Sequence, residues 1–194
     1  SDEMAEFVTR LIAVDTENPP GRGVTQAAEM VHEALVGLGL HSEIIPVPPS
    51  PTLADPRVVR ATAGAGEKLI YFHGHFDVVP AQRRDQFTPI RRDGRIIGRG
   101  SADMKGGLAS MIYGAAAARE LGLLGEGRIV LHLVCDEETG SVVGSGYLRQ
   151  ANLIDPRALA MLTAEPSSSR IWHAARGAIT LRVTVQGKEA HVGQ

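Results

Sequence analysis

His73-Gly74-His75-Phe76-Asp77 follows an apolar run and precedes Val78-Val79-Pro80. In an extended chain, residues 73, 75 and 77 point to one side. A metal-bound histidine commonly donates its second ring N–H to a carboxylate, which fixes its tautomer. His75 and Asp77 are therefore candidates for a ligand and its orienting partner. The alternative is a hydrogen-bonded structural histidine at a strand end. Gly98-Arg99-Gly100-Ser101-Ala102-Asp103 brings a carboxylate to the expected start of a helix. Asp103 reads as an N-cap or as a metal ligand. The stretch nearly matches the dinucleotide fingerprint G-x-G-x-x-G but fails at the third glycine, where a carboxylate would face a pyrophosphate.

Glu137 and Glu138 follow an apolar run that ends at Cys135-Asp136. Three neighbouring acids repel one another unless a cation is near or water screens them. They read as a solvated acidic turn, or as a metal ligand beside a base that takes a proton from water. Glu165, before Pro166, is on its own a loop acid. The joint pattern says more. His75, Asp103, Glu137, Glu138 and Glu165 all fall at or just beyond expected strand ends or helix starts. Ligand sites of open α/β sheets gather outside the carboxyl ends of strands. One histidine with several carboxylates suits divalent zinc, with cobalt or manganese as substitutes. Two ions about 3.5–4 Å apart need a bridging carboxylate, and Asp103 is the natural bridge.

The elements that must carry these residues are legible in outline. Residues 3–14 and 24–38 have helical apolar spacing, with Asn18-Pro19-Pro20-Gly21 as a break between them. Strands are expected around 44–47, 58–63, 69–72, 128–135 and 158–162. Helices are expected over 108–121 and 145–151. The segment 82–95 reads as a long loop or small hairpin. Its arginines at 83, 84, 91 and 92 suit either a solvated surface or acidic substrates. Alternating strands and helices imply an α/β layered domain. After Ser167-Ser168-Ser169, the alternation of Ile179, Leu181, Val183 and Val185 with polar residues predicts a half-exposed strand of another sheet. A catalytic domain is expected over 1–170, with a second domain beginning at 171–194. The second is too short to bury its own core, so a fragment is expected.

Composition narrows the function class. The 194 residues carry a net charge of −2, with 43% hydrophobic and 22% charged residues. No basic stripe favours nucleic acid, and no apolar run has the length of a membrane span. The N-terminus lacks the pattern of a secretory signal. Cys135 is the single cysteine, so no internal disulfide is expected and a cytoplasmic location is the natural reading. Cys135 itself reads as a small core residue.

The stretches His75-Phe76-Asp77-Val78-Val79-Pro80, Gly98 to Gly106, Asp136-Glu137-Glu138-Thr139-Gly140, Ala164-Glu165-Pro166 and Gly187-Lys188-Glu189-Ala190-His191 resemble the zinc amidohydrolases and peptidases. That family includes acetylornithine deacetylase, succinyl-diaminopimelate desuccinylase, aminoacylase and glutamate carboxypeptidase. The resemblance implies a mixed sheet flanked by helices, as in zinc exopeptidases, followed by a smaller α+β lid and dimerisation domain. It implies two Zn²⁺ per site, with His75 and Glu165 on the first, Glu138 on the second and Asp103 bridging. It makes Asp77 the orienting partner of His75, and Glu137 the general base. His191 would help to polarise the substrate carbonyl, often from the partner subunit of a homodimer. The implied reaction is hydrolysis of an amide bond in an N-acyl amino acid or small peptide, or a carboxypeptidase-like cleavage. The family's second-metal histidine and its carboxylate-gripping lid arginine lie downstream of the residues given. A catalytically incomplete fragment or a binding protein that keeps the fold is therefore the competing expectation.

Overall fold

The computed structural model describes residues 2–174, 181 and 183–187. Its elements follow the expected alternation. Helix α1 runs Asp2–Ala13, α2 Val24–Gly37, α3 Lys105–Glu120 and α4 Ser145–Gln150. The strands are β1 His41–Pro46, β2 Arg57–Ala63, β3 Lys68–His75, β4 Ile90–Arg92, β5 Arg95–Ile97, β6 Gly127–Val134 and β7 Ala160–Thr163. Single 3₁₀ turns occur at Arg84–Phe87 and Glu137–Thr139.

The main sheet has the order β1-β2-β6-β3-β7. β1 and β2 are antiparallel, and β2 is antiparallel to β6. β3 runs parallel to both β6 and β7. This is the mixed sheet that the resemblance implied. β4 and β5 form a separate hairpin, which settles the 82–95 region as a turn followed by a hairpin. Pro46 sits at the last position of β1, an edge strand, where a missing N–H breaks no central ladder. Residues 179, 180 and 182 of the strand expected near the chain's end lie outside the described residues. No strand is assigned at 181 or 183–185.

Burial follows the period of each element. Phe7, Val8, Leu11 and Ile12 form the inner face of α1; Ala27, Ala28, Val31 and Leu35 do so for α2. They share one core with Leu108, Ile112 and Ala115 of α3 and with Ile129, Leu131 and Leu133 of β6. Val130, between these positions, joins Leu69 and Tyr71 in a smaller cluster. β6 is thus buried along both of its faces, as its near-continuous apolar run predicts.

Lys105 is fully buried at the start of α3. Its Nζ donates to the Leu11 carbonyl at 2.9 Å and the Val14 carbonyl at 3.0 Å. These groups leave the C-terminal end of α1, where intrahelical partners run out. Burial pulls its pKa down to about 7, against the opposing charges of Asp15 and Asp77. Arg83, Arg84 and Arg91 of the 82–95 region are held in ion pairs. Arg84 meets Asp15 at 2.6 Å and Glu17 at 3.3 Å, Arg83 meets Asp85 at 3.0 Å, and Arg91 meets Asp2 at 3.3 Å.

His132 lies mid-strand in β6, stacked on Tyr71 with ring centroids 4.7 Å apart. It is 2% exposed, and its Nε2 has no hydrogen-bond partner among the described residues. Burial drives its pKa down to about 3, helped by His73 and Arg60. The unfolded chain therefore binds a proton between pH 3 and 6.5 that the folded chain refuses. The resulting stability is complete above about pH 6.5 and is lost as pH falls toward 3, by on the order of a few kcal/mol. His132→Asn should flatten this slope relative to wild type in denaturant melts taken across that window. Equal slopes would contradict it.

Candidate metal centre

The cluster forms at the carboxyl ends of β3, β6 and β7. β3 ends at His75, β6 leads through Cys135 and Asp136 into the 137–139 turn, and β7 leads to Glu165. Asp103 comes from the loop before α3. The helix begins at Lys105 after Met104, with no side-chain cap, so the N-cap reading of Asp103 fails. The Asp103–Met104 peptide is cis.

Two glycines permit this convergence. Gly100 has φ +81°, a left-handed conformation that L side chains rarely adopt, and a Cβ there would meet Val78 at 2.7 Å. At Gly107 a Cβ would run into the Ala164 backbone and lie 2.9 Å from its side chain. Only a glycine lets the first turn of α3 approach the segment carrying Glu165.

His75 stands at the centre and its side chain is 1% exposed. Its Nδ1 lies 3.0 Å from the Asp77 carbonyl and 3.2 Å from Asp77 Oδ1. Its Nε2 faces Asp103 at 3.3 Å, Glu165 at 3.5 Å and Glu137 at 3.9 Å. These are contacts of opposite charge, not aligned hydrogen bonds, and Nε2 is a buried polar atom without a hydrogen-bond partner among the described residues. Ligand atoms of His75, Asp103 and Glu138 lie within 4.8 Å of one another. Glu138 Oε1 also accepts from the Val79 N–H at 3.3 Å.

The electrostatics call for a cation. Burial, then the negative charge of Glu165, pushes the Asp103 carboxyl up. Burial also raises Glu137 and Glu138, with His75 opposing and nearby carboxylates adding. Glu165 is held below its ordinary value, first by its contact with His75. Burial opposes charge on His75, but the Asp77 and Glu165 carboxylates outweigh it and lift its pKa to about 11. Such a set of oxygen and imidazole donors suits a divalent ion, which would replace that proton. The orphaned Nε2, aimed at three carboxylates, fits the same group.

Asp77 is fully buried and joins the parts together. Besides His75, its carboxylate accepts from the Glu137 and Glu138 N–H groups, each at 3.2 Å, and from Asn18 Nδ2 at 3.1 Å. Asn18 was read in the sequence only as part of a helix break. Nothing local marks it, because its partners lie at positions 77, 135 and 139. His73 bonds Ser145 through Nε2 at 3.0 Å and contributes no ligand to the grouping. His191 lies outside the described residues. A cleft of about 150 Å³ lined by Val79, Arg99, Asp103 and Glu138 opens beside the cluster. A larger cavity of about 570 Å³, between Arg60, Tyr71, Arg128 and Arg157, shares none of the cluster residues.

Known proteins resemble this chain along the same elements. A family model described as peptidase family M20/M25/M40 matches residues 71–186. A succinyl-diaminopimelate desuccinylase of Buchnera aphidicola is 30% identical over 97% of this chain and 51% of its own length. A probable enzyme of the same name from Staphylococcus epidermidis is 33% identical over 68% of this chain and 33% of its own. The fold matches an M20 family metallo-carboxypeptidase from Sulfolobus solfataricus with a TM-score of 0.72 at 21% identity, covering 84% of this chain and 37% of that one. The chain spans about half the length of the desuccinylase from Buchnera, or less of the other two.

Proposed function

From the membership of this chain in peptidase family M20/M25/M40, we propose that it carries the metal-binding half of a hydrolase that cleaves an amide bond of an N-acyl amino acid or small peptide. The observation that carries this reading is the orphaned Nε2 of His75, buried and facing the carboxylates of Asp103, Glu137 and Glu165. The family is metal-dependent, and zinc is the ion we assign, two per site, with cobalt or manganese able to substitute. His75 and Glu165 would hold the first ion, Glu138 the second, and Asp103 would serve both. When bound, such ions lower the pKa of water and draw charge from a carbonyl oxygen.

The chain's own residues do the rest. Asp77 accepts from His75 Nδ1, so that Nε2 remains the ligand atom. Glu137 is about half exposed, and among the described residues its carboxylate is near His75 only at 3.9 Å. It takes a proton from the attacking water and passes it to the leaving amine. Its carboxyl, raised by burial and by neighbouring acids, has the basicity that this exchange needs. His191 is assigned to the substrate carbonyl oxygen, and residues 171–194 to the start of a lid domain through which two copies pair. No helix among the described residues is long and apolar enough to cross a membrane. With the lone Cys135 buried, the cytoplasm is the compartment we assign.

Metal binding and hydrolysis test this together. Zinc at about 100 times its Kd should add about 2.7 kcal/mol of stability. For a chain of this size that is a rise in Tm of about 5–11 °C. Zinc-loaded protein should hydrolyse N-acetyl or N-succinyl amino acids, and a chelator should stop it. A metal-insensitive Tm would sink the metal centre. A zinc-dependent Tm without hydrolysis in the longer protein would leave a binding protein on the same fold.

A further inference from the structure

Asn18 follows α1 and lies in a segment held against the 76–78 stretch. The Thr16 hydroxyl donates to the Phe76 carbonyl at 2.6 Å, the Val78 N–H to the Thr16 carbonyl at 3.0 Å, and the Asn18 N–H to the Val78 carbonyl at 2.9 Å. This ladder delivers a side chain that is 1% exposed to the carboxyl ends of β3 and β6. There Nδ2 meets Asp77 Oδ2 at 3.1 Å, the Cys135 carbonyl at 3.2 Å and Thr139 Oγ1 at 3.0 Å. The Thr139 hydroxyl points its own hydrogen at the Asp136 carbonyl, 3.4 Å away. All three partners of Nδ2 are then acceptors, which fixes which end of the amide faces Asp77.

Resting on the metal-centre reading above, we propose that Asn18 is a positioning residue that acts on the metal ligands through Asp77. The Asp77 carboxylate has two oxygens and divides them. Oδ1 takes the Glu137 N–H and lies 3.2 Å from His75 Nδ1, which bonds the Asp77 carbonyl; Oδ2 takes the Glu138 N–H and Asn18 Nδ2. The bond from Asn18 anchors the Oδ2 side and so holds the carboxylate plane. That plane, beside the Asp77 carbonyl bonded to Nδ1, bears on the tilt of the His75 ring, and with it the direction of Nε2. It also seats the backbone of Glu137 and Glu138, from which both carboxylates are aimed. Without the amide, Oδ2 keeps only the Glu138 N–H, and the carboxylate plane facing the His75 ring is held less firmly. Outer-shell partners of this kind typically change metal affinity about 10–100-fold.

The rival is a purely structural tie, since the same amide also holds Cys135 and Thr139. Cobalt(II) titration, followed by the visible absorption of the bound ion, separates the two. Asn18→Leu, close in volume and without a donor, should weaken cobalt binding about 10–100-fold and alter the absorption band. Thr139→Val, which leaves the Asp77 bond in place, should stay within about twofold of wild type. In an Asp77→Ala background, Asn18→Leu should produce no further loss, because its route is gone. Wild-type affinity in Asn18→Leu, or an equal added loss in the Asp77→Ala background, would overturn the proposal while leaving the metal centre standing. Wild-type protein that binds no cobalt would overturn both. If Asn18→Leu does not fold, Asn18→Ser carries the same comparison.

Discussion

Glu137→Gln is expected to lower turnover of an N-acyl amino acid by about 10²–10⁴-fold, with zinc content unchanged. The substitution keeps size and hydrogen-bonding reach but removes the proton acceptor. Glu137 Oε2 is 3.9 Å from His75 Nε2, farther than Asp103 or Glu165. We therefore assign it a place beside the centre, not within it. Loss of rate without loss of metal is the signature of a base. Loss of metal in step with rate would make Glu137 a ligand and move the base elsewhere. An unchanged rate would remove it from the chemistry. Steady-state kinetics with elemental analysis of the same samples gives both numbers.

Asp103→Ala should move two quantities in opposite directions. Asp103 is close to Glu165 and shares the site with Glu137 and Glu138, so its charge is held against repulsion and burial. As the assigned bridge, its removal should weaken zinc binding by more than the 10–100-fold typical of outer-shell changes. The metal-free protein should be no less stable, and more stable by up to about 1 kcal/mol, because a like charge has left the cluster. His75 keeps its contacts with Asp77 and Glu165. Such a trade of stability for ligand geometry is common at functional sites. Melts in chelator and a zinc titration test it. Undiminished zinc affinity would remove Asp103 from the centre; a large drop in the metal-free Tm would make it a structural residue.

Local rules carried the reading of elements a long way. α1 and α2 are amphipathic, and β6 is a continuous apolar run, so period and length identify them. The grouping of His75, Asp103, Glu138 and Glu165 was legible because each lies at or beside a strand end or helix start that is marked in the chain. What stayed hidden is non-local. The order β1-β2-β6-β3-β7 depends on pairings between distant segments, and no residue of β6 declares which strands it will separate. Lys105 looks like a surface lysine until α1 places two carbonyls against it. Asn18 looks like a turn residue until Asp77 meets it. Asp103 was open to an N-cap reading because an aspartate before a helix is commonly one, and only the start of α3 at Lys105 decides against it. Buried polar residues that answer to distant partners are the class that pattern reading misses.

The place of β6 between β2 and β3 has a consequence for how the chain reaches this state. β1 and β2 can pair as soon as both exist. β3 comes next in the chain but cannot pair with β2, because β6 occupies that slot. As the chain grows, β2 waits with one open edge and β3 with two until Gly127–Val134 arrives. Closing that gap brings together segments separated by the whole of α3 and the β4–β5 hairpin. Such distant closures slow folding and leave unpaired edges open to other chains in the meantime. The same insertion brings the 137–138 turn to Asp77, and β7 then covers the outer edge of β3 and leads to Glu165. A nascent chain stopped short of β6 would be an aggregation hazard without Glu137 and Glu138; the sheet and the residue cluster are both complete only once β7 has paired.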